Sequence, residues 1–290
     1  MQLKTHLTAH YLSRILGLKL RARAVLEGAL TGWHRSPFHG YSSEFSQYKG
    51  YSPGDDLKHL DWKVFGRRDQ AVVRQFRDET NAPVHLVVDT SASMGYGGGA
   101  GLNKLEYAAV LAASLALLAE RQRDALSLAH GGKAVSEFLP PESGPLQTRE
   151  VLRRLEAMTP EGITDLDALC AQTAARMGGQ SFFFLFTDAW QKPEALAAGL
   201  KKVRHKTRAV TLVQLRTAEE EDFFDQGSYR LRDLETGELL EVSAPHAKGA
   251  YRAAVKAHTA ELAGLCSRLG IRWVPVRVDW PCDAALRKIL

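Results

Sequence analysis

At 290 residues, with 45 % hydrophobic and 24 % charged content, the chain is long enough to bury a sizeable core and too ordinary in composition to be disordered or fibrous. Three widely spaced cysteines, Cys170, Cys266 and Cys282, form no CxxC pair, which argues against a zinc site and a disulfide framework and suits a reducing cytoplasm. A net charge of +5 tolerates an acidic partner without demanding one; no apolar run reaches the roughly 18 residues of a membrane span, and MQLKTHLTAHYLSR does not read as a signal peptide.

Over 9–29, Leu12, Ile15, Leu16, Leu20, Ala24 and Leu26 recur at near-helical spacing among basic residues, which predicts an amphipathic helix with a solvated basic face. Residues 1–35 carry Lys4, Arg14, Lys19, Arg21, Arg23 and Arg35 against Glu27 alone, so contact with nucleic acid or a membrane surface is the alternative use of this helix. Next, Pro53-Gly54 marks a turn and Asp55 can cap a short helix with Leu57, Leu60 and Val64 on one face. Asp55, Asp56 and Asp61 read as a cap with a solvated face, Arg67, Arg68, Arg74 and Arg77 as structural ion pairs, and 71–76 as a strand.

From Pro83 onward strands alternate with helices, the pattern of a mostly parallel sheet covered on both faces, that is, a doubly wound α/β fold. Strands are expected at 84–88, 125–129, 134–138, 182–186, 208–215 and 272–278, and helices at 104–120, 147–158, 165–177, after Pro193 and at 250–269. Between them, 229–234 and 239–242 flank Glu235-Thr236-Gly237-Glu238, which reads as an inserted β-hairpin near the sheet's edge. The expected organisation is therefore an N-terminal helical and irregular extension over 1–80, packing on an α/β domain over 81–290.

The first strand of that domain runs into Asp89-Thr90-Ser91-Ala92-Ser93, an aspartate followed by hydroxyls at alternate positions where the chain leaves the sheet. Ligands of open parallel sheets collect at the carboxyl ends of strands, and Mg²⁺ takes hard oxygen donors. A second strand end, Phe186-Thr187-Asp188, would bring Asp188 beside Asp89 if the two strands are neighbours, and Gly162-Ile163-Thr164-Asp165 offers a further hydroxyl and carboxylate in a loop. In the bland reading Ser91 and Ser93 cap a turn while the aspartates are buried hydrogen-bonding groups, but an uncompensated carboxylate pair at a sheet's end would be costly without a cation.

These segments resemble the metal-ion-dependent adhesion site of von Willebrand factor A domains, which reads Asp-x-Ser-x-Ser, then a later Thr, then an Asp after a long strand. The resemblance implies that Ser91 and Ser93 bind the ion directly, Thr164 directly or through water, and Asp89 and Asp188 mainly through bound waters. The ion implied is Mg²⁺, with Mn²⁺ or Ca²⁺ as alternatives, and a site short of direct negative charge would accept an Asp or Glu carboxylate from a protein partner. Upstream, His39-Gly40, Ser43-Glu44-Phe45, Tyr48, Tyr51, Pro53-Gly54-Asp55-Asp56, Asp61-Trp62-Lys63 and Val73-Arg74 resemble the signature segment of the bacterial domain-of-unknown-function family 58, across roughly 11–280. That family implies partnership with MoxR-type AAA+ ATPases in chaperone-like assembly or activation of clients; many members carry upstream membrane helices, and this chain resembles the short, soluble kind.

An interaction module, not an enzyme, is therefore expected. A haloacid-dehalogenase-type phosphohydrolase also places an Asp after strand one, but its acid/base Asp two positions on is here Ser91. Gly95-Tyr96-Gly97-Gly98-Gly99-Ala100-Gly101 starts too late after the strand for a dinucleotide loop, and Gly101-Leu102-Asn103-Lys104 is no phosphate-binding loop, so the run reads as a mobile lip beside the metal. His34, His39, His59, His85 and His130 stand singly, without HExxH spacing.

Overall fold

The computed structural model describes residues 17–30, 82–99 and 101–290, the backbone of 45–50 and 72–76, and the single positions Thr8, Leu12 and Val64. The acidic positions Asp55, Asp56 and Asp61, the side chains of Arg67, Arg68, Arg74 and Arg77, the histidines at 34, 39 and 59 and most of the signature segment lie outside the described residues. Among the described residues no helix is long and apolar enough to cross a membrane.

The described residues divide into two compact units. Between Arg35 and Asn81, β1 (Phe45–Gly50) and β2 (Val72–Phe76) pair antiparallel with Tyr48 opposite Arg74, which gives the strand expected at 71–76 its partner. The other unit joins α1 (Leu18–Leu30) to everything from Ala82 on. The N-terminal helix thus groups with the sheet rather than with the segment that follows it. Its buried stripe is Leu18, Ala22, Val25, Leu26 and Ala29, whereas Leu20, expected on that face, is 59 % exposed.

Six strands form the main sheet: β3 (Val84–Asp89), β4 (Leu126–Gly131), β5 (Glu137–Glu142), β6 (Ser181–Thr187), β7 (Thr207–Arg216) and β10 (Arg272–Arg277). Their order is β10-β7-β6-β3-β4-β5, parallel except for β5, which runs against β4. Helices cover both faces. On one, α4 (Leu166–Arg176), α5 (Pro193–Lys206) and α7 (Ala244–Leu269) close a core over Val87, Phe183, Leu185, Val210 and Leu212. Strand side chains alternate, so the equally buried Leu86, Val88, Phe184, Phe186 and Val213 face the opposite layer, which holds α2 (Lys104–Gln122).

Around α2 pack α1, α3 (Pro145–Ala157) and α8 (Cys282–Ile289), joined by Ser114 Oγ donating to the Ala22 carbonyl at 3.2 Å, Leu18 N–H to Glu156 at 3.2 Å and Arg287 to the Gly28 carbonyl at 2.9 Å. The nearly all-round apolar pattern of α2 is explained by this position: within the helix only Glu106, in a reciprocal cap with Asn103, and Arg121 near the far end are exposed. α8 has no counterpart in the sequence reading, because its two turns carry too few periods to register.

Topology places the site. The chain enters mid-sheet at β3, steps one way to β4 and β5, then returns to β6 on the other side of β3 and steps away through β7 to β10. The crossovers therefore diverge between β3 and β6 and leave a crevice at their carboxyl ends. Register sets Val88 opposite Phe186, so Asp89 stands level with Thr187 and Asp188 follows one residue beyond.

Candidate functional site

Asp89, at the end of β3, is fully buried, and its carboxylate organises the crevice. Oδ1 accepts the Ser91 amide at 2.9 Å; Oδ2 accepts the Thr187 hydroxyl at 2.7 Å and the Thr164 hydroxyl at 3.3 Å. One side chain thus ties together the loop after β3, the loop before α4 and the end of β6. Ser91 and Ser93, two residues apart on the turn into a short 3₁₀ segment, hold their hydroxyl oxygens 3.1 Å from one another. The sequence-predicted set of Asp89, Ser91, Ser93, Thr164 and Asp188 is in this way brought to one place.

Backbone hydrogen bonds fix the loops. Thr90 N–H meets the Gly131 carbonyl at 3.0 Å, Ala92 N–H the Gly162 carbonyl at 2.9 Å and Asp165 N–H the Gly132 carbonyl at 3.1 Å. Gly132 is needed for that fit: a Cβ there would lie 2.6 Å from the Ile163 carbonyl oxygen. Asp165, counted in sequence as another candidate carboxylate, instead caps α4 through the Ala168 amide at 3.0 Å. Gln191, which the sequence does not single out, donates to the Thr164 carbonyl at 2.5 Å and accepts the Leu166 amide at 3.1 Å, bracing the threonine loop against the segment after β6.

Asp188 is nearly as buried as Asp89, and here the structure adds a residue. Lys104 Nζ donates to Asp188 Oδ2 at 2.7 Å and to Glu220 Oε1 at 2.6 Å, with the lysine side chain 1 % exposed. Glu220 is held by α6 (Ala218–Asp222), whose Thr217 cap closes reciprocally with that glutamate. Lys104 had a signal in the sequence: a cation at the first position of a helix opposes the macrodipole, and persists there only with acidic partners. Burial alone would lower its pKa, but Asp188 and Glu220 raise it, so the ammonium stays charged.

Among the described residues Asp89 has no such cation. Burial, and then the Asp188 charge, push its carboxyl up to about 6, against the lowering effect of the Ser91 and Thr187 hydrogen bonds. Of the two buried carboxylates Asp89 and Asp188, Lys104 touches only Asp188 and divides its charge with Glu220, which leaves negative charge at a crevice lined by the hydroxyls of Ser91, Ser93, Thr164 and Thr187. Among the described residues no three His, Cys, Asp or Glu side chains are grouped so as to hold a metal ion, so any ion held here would be held largely by hydroxyl oxygens. The donors fit a hard cation: all are oxygen, and Ser93, Thr164 and Asp188 face an open cavity of about 720 Å³.

That cavity is roofed by the hairpin of β8 (Ser228–Arg232) and β9 (Leu239–Ser243), expected only as a surface insertion. Its tip is built by Asp233, whose carboxylate accepts the Glu235 and Thr236 amides at 2.7 and 3.0 Å, with Gly237 at φ +77°. The turn extends Glu235 until its carboxylate accepts the Thr164 amide at 3.1 Å. The glycine-rich run lies opposite: the Lys104 amide donates to the Tyr96 carbonyl at 3.0 Å, and a Cβ on Gly98, at φ +53°, would collide with the Glu219 carboxylate.

Residues 47–261 match the family described as "Protein of unknown function DUF58". Uncharacterized proteins of Mycobacterium bovis and Mycobacterium tuberculosis are 29 % identical over 280 residues, covering 92 % of this chain and 85 % of theirs. The fold is similar to that of an aerotolerance-related membrane protein from Bacteroides fragilis, with a TM-score of 0.51 at 16 % identity over 72 % of this chain and 96 % of that one.

Proposed function

We propose that this chain, which belongs to the DUF58 family, is a von Willebrand factor A-type module that holds a divalent cation, Mg²⁺ foremost, and recognises a protein partner through it. The observation that carries the reading is convergence: Asp89, Ser91, Ser93, Thr164 and Asp188 come from three separated loops and meet at the point where the sheet's connections diverge. Asp89, with its proton affinity raised by burial beside Asp188, is a carboxylate that a cation would relieve.

In this reading each residue has a task of its own. Ser91, Ser93 and Thr164 offer neutral oxygens, and Asp89 fixes the Ser91 amide and the Thr164 hydroxyl from behind. Lys104 neutralises part of Asp188, which keeps the cation short of negative charge and open to an acidic side chain of the partner. A bound cation would supply that attraction. Glu235, reaching the Thr164 amide from the hairpin tip, brings a carboxylate of the chain itself close to the place a partner's would take.

Recognition rather than catalysis is part of this proposal: Asp89, the carboxylate beside Ser91, is engaged by the Ser91 amide and the Thr164 and Thr187 hydroxyls. Family resemblance extends the proposal to a cytoplasmic adaptor or co-chaperone for a MoxR-type AAA+ ATPase that assembles or activates client proteins. The test is an affinity pull-down of a MoxR-type ATPase encoded beside the gene, in Mg²⁺ and in chelator. Capture in Mg²⁺ alone supports the proposal; equal capture in both refutes the metal grip.

A further inference from the structure

The cavity beside the carboxylates is more than an entrance. Phe223, Phe224, Tyr229, Tyr251 and Trp190 line it, and its volume lies in the range of sites that enclose a side chain or small ligand. Four of the rings form a continuous wall. Phe223 stands 4.7 Å from Tyr251 and 5.4 Å from Phe224, which stacks on Tyr229 at 4.1 Å between centroids.

Into this apolar space comes a carboxylate without a partner. Glu219 Oε2 is buried, accepts no hydrogen bond from a described protein group and belongs to no ion pair among the described residues. Its neighbour Glu220 is neutralised by Lys104; Glu219 is not. Among the described residues the Glu235 carboxylate likewise meets only a backbone amide, that of Thr164. Three cations also line the cavity, and two of them are paired: Lys104 with Asp188 and Glu220, and the exposed Arg230 with Glu241 at 3.1 Å; Arg232, likewise exposed, is the third.

We propose that this cavity receives a cationic side chain, lysine or arginine, from the protein partner, with Glu219 as counter-charge and the aromatic faces as walls. Aromatic faces attract a cation through the ring quadrupole, and an alkyl stem covers the apolar remainder, a combination that neither a neutral nor an acidic side chain satisfies. Gly98 then has a purpose: only a residue without Cβ lets the loop after β3 lie against the Glu219 carboxylate. The inference takes from the preceding section only that the partner is a protein, and it needs no metal.

The probe is n-butylammonium, a lysine side-chain mimic, titrated into the full chain in EDTA and followed by saturation-transfer NMR beside its neutral counterpart 1-butanol. Saturable butylammonium binding, about fivefold or more tighter than that of butanol and weakened to a similar extent by Glu219→Gln, is the expected result. Phe224→Ala should weaken both probes. Equal binding of the two compounds, or butylammonium binding that Glu219→Gln leaves unchanged, would reduce the cavity to an apolar pocket and overturn the proposal, as would absence of binding to a chain whose circular dichroism is native. Since chelator is present throughout, such a failure leaves the metal reading untouched.

Discussion

Replacing Lys104 by Met keeps the apolar stem in its place and removes only the charge. What remains is Asp188, its side chain 3 % exposed, and Glu220, 18 % exposed, with the 2.7 and 2.6 Å contacts to the ammonium gone. Glu220 sits on a short helix at the cavity wall and can turn toward water, so the penalty falls on Asp188, which cannot. Stranding one buried charge of a pair costs about 3–5 kcal/mol. We expect urea unfolding in EDTA to show a loss in that range for Lys104→Met, with most of it recovered in Lys104→Met/Asp188→Asn, because that pair of changes removes the stranded charge as well. Saturating Mg²⁺ should return about 2–3 kcal/mol to the single variant, the amount mass action supplies near a hundredfold excess over Kd. A loss below about 1 kcal/mol in EDTA would mean that Lys104 does not compensate a stranded carboxylate, and no recovery with Mg²⁺ would mean that a cation does not reach Asp188.

Asp89 gives a pH signature. Its carboxyl is raised from 3.8 to about 6, so the folded chain holds this proton more tightly than the unfolded one; the contribution is fully present below about pH 4 and is lost as pH rises through 6, by roughly 3 kcal/mol. Buried Asp124, also near 6, adds a change of the same sign, and His85, lowered to about 4 by burial, opposes both, so the quantity to measure is the wild-type curve minus that of Asp89→Asn between pH 4 and 7. A flat difference would refute the assignment. Gly132→Ala, whose Cβ would meet the Ile163 carbonyl at 2.6 Å, should displace the Thr164 loop and weaken Mg²⁺ binding roughly tenfold while the fold survives; unchanged calorimetric affinity would show that the loop is not part of the site.

The parts of this arrangement legible in sequence are those written in short windows. The unbroken apolar run of β6 marks a central strand, and Asp89-Thr90-Ser91-Ala92-Ser93 marks a strand end with oxygen donors, because both are local consequences of sheet geometry. Lys104 escapes a motif reading because Gly-Leu-Asn-Lys matches no phosphate loop, although its unfavourable place at a helix start is itself a clue. In sequence Thr187 is only the residue before Asp188, yet its hydroxyl makes the shortest contact to Asp89, since strand register and not sequence spacing sets which residue stands level with which. For the hairpin, strand and turn signals suffice to find it, but its reach to Thr164 joins positions 71 residues apart, which no short window carries; the helix after it, α7, begins six residues before the periodic pattern does, at a proline-bearing first turn.

The account stands on a cation held by hydroxyls at the β3 and β6 strand ends, and calorimetric titration of Mg²⁺ into the wild-type chain, Ser93→Ala and Thr164→Val tests it most directly. It predicts one saturable site in the wild type and at least about tenfold weaker binding in both variants. Absence of binding in the wild type, or equal affinity in all three, would contradict it.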